Sequence, residues 1–75
     1  MDKIIGMRFE NLEEIKRKIE ELTNRKVYAI VDEGTTEATR DFHTDFEILY
    51  EFENYEQHTL FYLKDNANQY YITEF

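Results

Sequence analysis

One run in this chain alternates almost strictly between apolar and acidic side chains. Residues 41–53 read DFHTDFEILYEFE. In a strand, successive side chains point to opposite faces. Phe42, Phe46, Ile48, Tyr50 and Phe52 therefore share one face; Asp41, His43, Asp45, Glu47, Leu49, Glu51 and Glu53 share the other. A period of two sustained over this length has no helical equivalent, so it predicts a strand over about residues 42–53 with its apolar row in a core.

The rest of the chain supplies partners for that strand. Residues 3–9, KIIGMRF, predict a short strand with Ile5, Met7 and Phe9 on one face, where Gly6 either weakens the strand or permits close packing. Residues 12–24 predict a helix: Leu12, Ile15, Ile19 and Leu22 form one apolar stripe, Asn11 is a good N-cap with Glu14 three residues on, and Asn24 suits a left-handed end. Residues 26–32, KVYAIVD, are apolar on both faces and predict an interior strand. A polar loop follows at residues 33–40. Two further strands, HTLFYLK and YYITEF, flank a turn at KDNANQ.

The order β-α-β-β-β-β, without repeats or linkers, predicts a single small α+β domain over residues 1–75, with a mostly antiparallel sheet and one helix packed on one face. The simplest arrangement is a meander of the last four strands. The first strand then joins through a β-α-β crossover or pairs at an edge. One helix covers one face of such a sheet, so the other face is polar or is covered by something else.

With 75 residues and no Cys, the fold has no disulfide or thiolate metal site to support it. An aromatic content of 16% separates it from disordered acidic segments. The N-terminal apolar run is too short for a signal peptide and nothing reaches the length of a membrane span, so a cytoplasmic protein without membrane contact is expected.

The formal charge of −8 is concentrated. Residues 1–31 carry six acids and seven bases, residues 32–56 nine acids and one base, Arg40, and residues 57–75 two acids and one base. Within 41–56 stand Asp41, Asp45, Glu47, Glu51, Glu53 and Glu56, with no Lys or Arg. Along the strand, neighbours on the acidic row lie about 6.7 Å apart. Each adjacent charge pair then repels by about 0.6 kcal/mol in bulk water. Alternating signs would serve solubility without that cost. The row is either a solvated or aggregation-blocking face, as edge strands carry, or a recognition surface.

As a recognition surface, the row repels nucleic acid and suits a basic protein partner. Its spacing is of the order of that between phosphates along a DNA strand, so it can occupy a groove built for nucleic acid. The chain resembles, in size and charge but in no motif, the small phage-encoded inhibitors of nucleases and repair enzymes. The leading expectation is a non-enzymatic acidic module of phage or mobile-element type. It would bind the basic surface of a nucleic-acid-binding enzyme through Asp41, Asp45, Glu47, Leu49, Glu51, Glu53 and Glu56, with Leu49 as the apolar centre. The alternative is an assembly domain that homodimerises through the uncovered sheet face.

Other chemistry has less to stand on. There is no Ser and no Cys for a nucleophile, two Gly are too few for a phosphate loop, and a flat strand offers no concave site for acid–base work. No enzyme activity, cofactor or resident metal is expected. Asp41, His43 and Asp45 could ligate a divalent ion, but three residues of one strand make a poor cage. His58 is expected to pair with a Glu of the preceding strand. The six Tyr belong to the sheet. Lys16, Arg17, Lys18, Arg25 and Lys26 are expected to be neutralised by Glu13, Glu14, Glu20 and Glu21 on a solvated helix.

Overall fold

In the computed structural model, which describes residues 2–34 and 45–75, the strand-forming segments build one antiparallel sheet. Its elements are β1 (Arg8–Phe9), α1 (Leu12–Thr23), β2 (Val27–Gly34), β3 (Phe46–Phe52), β4 (Gln57–Lys64) and β5 (Tyr70–Glu74). The spatial order is β1-β5-β4-β3-β2, which makes this an α+β fold built on a meander of the last four strands. β1 pairs antiparallel with β5 at the far edge, Arg8 opposite Tyr71 and Phe9 opposite Tyr70. Four successive antiparallel pairings leave β1 and β2 pointing the same way at opposite edges. α1 is the crossover between them and packs against both.

The helix is built as its sequence dictates. The Asn11 side chain accepts a hydrogen bond from the Glu14 backbone N–H at 2.9 Å, and Asn24 ends the helix in the left-handed region at φ 55°. Ile15 and Ile19 are fully buried, with Leu12 and Leu22 flanking them at the core margin. They meet a sheet face formed by Val27, Ile48, Tyr50, Phe52, Leu60 and Ile72.

Two segments depart from their expected form. Residues 3–9 are mostly not a strand. Asp2–Ile4 make a turn of 3₁₀ helix, and Gly6, at φ 88°, redirects the chain into the two-residue β1. That φ lies outside what L side chains readily adopt, which accounts for the glycine. Ile4 is consequently fully buried while Ile5 is 43% exposed, the reverse of the expected parity. The second departure is β2, which lies at an edge of the sheet rather than inside it. An apolar residue on both faces reports burial above and below a strand, not a neighbour beside it. Val31 and Tyr28 remain 48% and 68% exposed.

The sheet curls strongly. The Tyr70 hydroxyl on β5 bonds to Asp32 on β2, three strand positions away. In a flat sheet those strands lie about 14 Å apart, beyond the reach of a Tyr side chain. Curling encloses one face around the helix and leaves the other convex and open. Among the described residues no helix is long and apolar enough to cross a membrane.

Candidate protein-interaction face

β3 carries the alternating run into the sheet with the expected parity. Ile48, Tyr50 and Phe52 are buried on the helix side. Asp45, Glu47, Leu49 and Glu51 are half-buried on the convex side, and Glu53 is exposed in the turn that follows. β3 is an interior strand, between β2 and β4. The described strand begins at Phe46; Asp41, Phe42 and His43 lie outside the described residues.

Register places the neighbours of the acidic row. Leu49 stands opposite Val31 of β2 and Thr59 of β4; Glu51 stands opposite Ala29 and Gln57; Glu47 stands opposite Phe61. Leu63 opposes Tyr71 on the next pair of strands. The convex face is thus a field of apolar and hydroxyl side chains with carboxylates set into it. Asp45 is fixed by a short hydrogen bond from the Thr73 hydroxyl. At the β1 edge Arg8 lies over the Tyr71 ring, 4.7 Å from its centroid, and bonds to Asp65 at 3.0 Å.

Glu56 does not join this row. It turns to the helix side, where its Oε2 accepts from Arg25 at 2.8 Å and contacts His58 Nε2 at 2.7 Å. Those two hydrogen bonds, His58 first, hold the Glu56 carboxyl below the usual carboxylate range. His58 accordingly pairs with a Glu two residues earlier in its own segment rather than with one on the preceding strand, and stacks on Tyr50 at 5.6 Å. Arg25 also reaches Asn54 and lies 4.0 Å over the Phe52 ring. Arg25 is therefore spent on the β3–β4 hairpin, whereas Lys18 pairs with Glu21 along the helix as expected. The hollow beside this cluster, about 370 Å³, is lined by Leu22, Thr23, Tyr50 and Phe52 together with the Arg25, Glu56 and His58 side chains that already engage one another.

At the other end of the concave side Asp32 accepts hydrogen bonds from Tyr62 at 2.5 Å and Tyr70 at 3.1 Å. Burial, and then the bond to Asp32, push both hydroxyls upward in pKa. The sequence held a partial signal for this group: Asp32 shares the core-facing parity of Ile30, on the side where the Tyr62 and Tyr70 rings are buried. Among the described residues no three His, Asp or Glu side chains converge as a metal-ligand set, and Asp41 and His43 of the DFHTD row fall outside those residues.

Comparison of the chain with protein-family models, with curated proteins and with solved structures returns no match.

Proposed function

We propose that the chain is a small acidic protein-binding module that docks its convex sheet face on a basic surface of another protein. Asp45, Glu47 and Glu51 supply the charge, Leu49 the apolar centre, and Glu53 the exposed end of the row. The observation that carries this reading is the place of the row on an interior strand. Guarding an exposed edge is the ordinary reason to load a strand with charge, and an interior strand has no such edge to guard. Half-buried carboxylates beside Val31, Phe61 and Leu49 form a mixed surface whose charge suits a basic partner and whose apolar side chains supply contact area.

A basic partner is favoured over a second copy on this face. An isologous dimer centred on the face would bring one acidic row against another and desolvate like charges. Basic surfaces with cations at strand-like spacing are those that hold nucleic-acid backbones, so a nucleic-acid-binding enzyme, blocked by the bound module, is the partner class we propose. The action is occupancy rather than catalysis.

The test is affinity for a partner recovered from host lysate and identified, measured at low and high salt. Wild type is compared with a triple Glu47→Gln, Glu51→Gln, Glu53→Gln variant and with Leu49→Ala. Charge pairs desolvated at interfaces couple by about 1.5–7 kcal/mol, so the triple variant should lose orders of magnitude in affinity and most of the salt dependence. Leu49→Ala should weaken binding without changing the salt slope. A folded triple variant that binds as tightly as wild type would remove the proposal.

A further inference from the structure

The turn between β3 and β4 holds an aromatic residue where the backbone suits one least. Tyr55 sits at φ 65°, in the left-handed region that bulky side chains disfavour, and is 81% exposed, so packing does not offset that strain. The turn between β4 and β5 meets the same geometry with Asn68 at φ 62°. A lone exposed apolar side chain is ordinary on a protein surface. A ring held in a conformation that Asn adopts with less strain points instead to a contact outside the molecule. Register puts a second ring at this end of the sheet. Val27 stands opposite Phe52 and Ala29 opposite Glu51, so Tyr28, 68% exposed, falls at the irregularity beside the turn.

The chain shows twice what an aromatic ring near a carboxylate can hold. Arg8 lies over Tyr71, 4.7 Å from its centroid, and bonds to Asp65 at 3.0 Å. Arg25 lies over Phe52 at 4.0 Å and bonds to Glu56 at 2.8 Å. A guanidinium is planar, so it stacks, and forked, so it bonds to a carboxylate at the same time; an ammonium offers a point charge alone. The Tyr55 ring and the Glu53 carboxylate, two residues apart in one turn and both exposed, make a third such pair. Among the described residues no Arg or Lys lies over the Tyr55 ring. Of the cations nearby, Arg25 is engaged by Glu56 and Asn54, and Lys26 lines a hollow with Glu53.

We infer that the turn between β3 and β4 takes an arginine side chain of the partner protein, its guanidinium stacked on Tyr55 and bonded to Glu53. The inference rests on the convex-face reading for the basic character of the partner, because Glu53 ends the acidic row. It adds a selection of arginine over lysine at one end of the contact.

The probes are hexa-arginine and hexa-lysine peptides, titrated at low salt against the purified full chain. Wild type should bind hexa-arginine roughly two- to fivefold more tightly than hexa-lysine. The Tyr55 ring resonances should shift as hexa-arginine is added. Tyr55→Asn should bring the two affinities together and leave hexa-lysine binding nearly unchanged, whereas Tyr55→Phe, which keeps the ring, should retain the preference. Asn suits this backbone better than Tyr, so the Asn variant should melt no lower than wild type, and a lost preference is not a lost fold. Glu47→Gln combined with Glu51→Gln leaves the turn intact and tests the convex face separately: both peptides should weaken alike, with the arginine preference kept. Should that double variant bind both peptides as wild type does, the convex face loses its role, while the turn is still judged by the preference alone. A wild type without preference for arginine, or a preference unchanged in Tyr55→Asn, overturns the inference. Self-association of wild type that Tyr55→Asn abolishes would also overturn it, by seating a second copy on the turn.

Discussion

Asp32 and Tyr62 are thirty residues and two strands apart, yet the Tyr62 hydroxyl donates a 2.5 Å hydrogen bond to the Asp32 carboxylate. Tyr70 donates to the second oxygen of the same carboxylate at 3.1 Å. One side chain on the edge strand thereby gathers β2, β4 and β5 and draws the curled end of the sheet together, with the Tyr62 and Tyr70 rings packed edge to face at 4.7 Å.

Removing one donor should cost less than removing the acceptor. Tyr62→Phe keeps the ring and loses one hydrogen bond to a partly hydrated carboxylate, so about 1 kcal/mol of stability should go. Asp32→Ala removes the acceptor of two hydroxyls in a part-buried cluster and should cost about 2 kcal/mol. Urea midpoints at unchanged slope measure both. An Asp32→Ala midpoint equal to wild type would show that the carboxylate does not hold the curl.

The helix stripe should be the most sensitive part of the core. Ile15 and Ile19 are fully buried between α1 and the sheet. Ile15→Ala or Ile19→Ala should each destabilise by about 2–4 kcal/mol, a large share of the stability of a small domain. Denaturant midpoints that barely move would contradict the packing.

Stability should fall at both ends of the pH scale, for separate reasons. Glu56 is held below its ordinary 4.5 by hydrogen bonds from His58 and Arg25, and Asp65 below 3.8 by the backbone N–H groups of Gln69 and Ala67 and by Arg8. A lowered folded-state pKa contributes stability above the unfolded value that is lost as pH falls through the folded one. Glu56 is exposed and Asp65 half-buried at the surface, so the acid loss should be gentle and partly absent in Glu56→Gln. Tyr50 is pushed up from 10.0 to about 12 by burial and by the nearby Glu56 charge. Its contribution is complete below pH 10.0 and disappears as pH rises through about 12. Melting temperature against pH, for wild type, Glu56→Gln and Tyr50→Phe, reads both limbs. An alkaline limb unchanged in Tyr50→Phe would contradict the assignment.

The two tight hairpins share one geometry with different residues at its strained position. Phe52 N–H bonds to the Glu56 carbonyl at 3.0 Å and Tyr55 N–H to the Phe52 carbonyl at 3.1 Å; Asp65 and Gln69, then Asn68 and Asp65, repeat this at 3.0 and 2.9 Å. Asn68 takes the left-handed position at φ 62°, Tyr55 at φ 65°. Asn tolerates that region and a bulky aromatic does not. Tyr55 is 81% exposed, so its side chain returns little packing. Tyr55→Asn should therefore stabilise by about 0.5–1 kcal/mol, read as a raised denaturant midpoint. A lowered midpoint would mean that the ring makes a contact of consequence.

The sequence alone determined those features that depend on neighbours a few residues away. Asn11, Asn24 and the Ile15–Ile19 stripe set the helix and its ends, because capping and period act within a turn or two. The parity of Ile48, Tyr50 and Phe52 set which face of β3 is buried, because alternation is a property of the strand itself. The pairing of β3, β4 and β5 followed from their short connections.

Tertiary structure decided what depends on position within the sheet. Residues 26–32 carry the same apolar pattern whether a neighbour lies beside them or not, so only pairing could place β2 at an edge. Ile4 and Ile5 exchanged burial because Gly6 turned the chain, a consequence of where β5 waits for β1. Glu56 left the acidic row because Arg25, distant in sequence, lies within reach only after the helix has crossed the sheet. The same curl brought Asp32 under Tyr62 and Tyr70. Hydrogen bonds between residues thirty positions apart are set by the path of the whole chain, and no local pattern of side chains encodes that path.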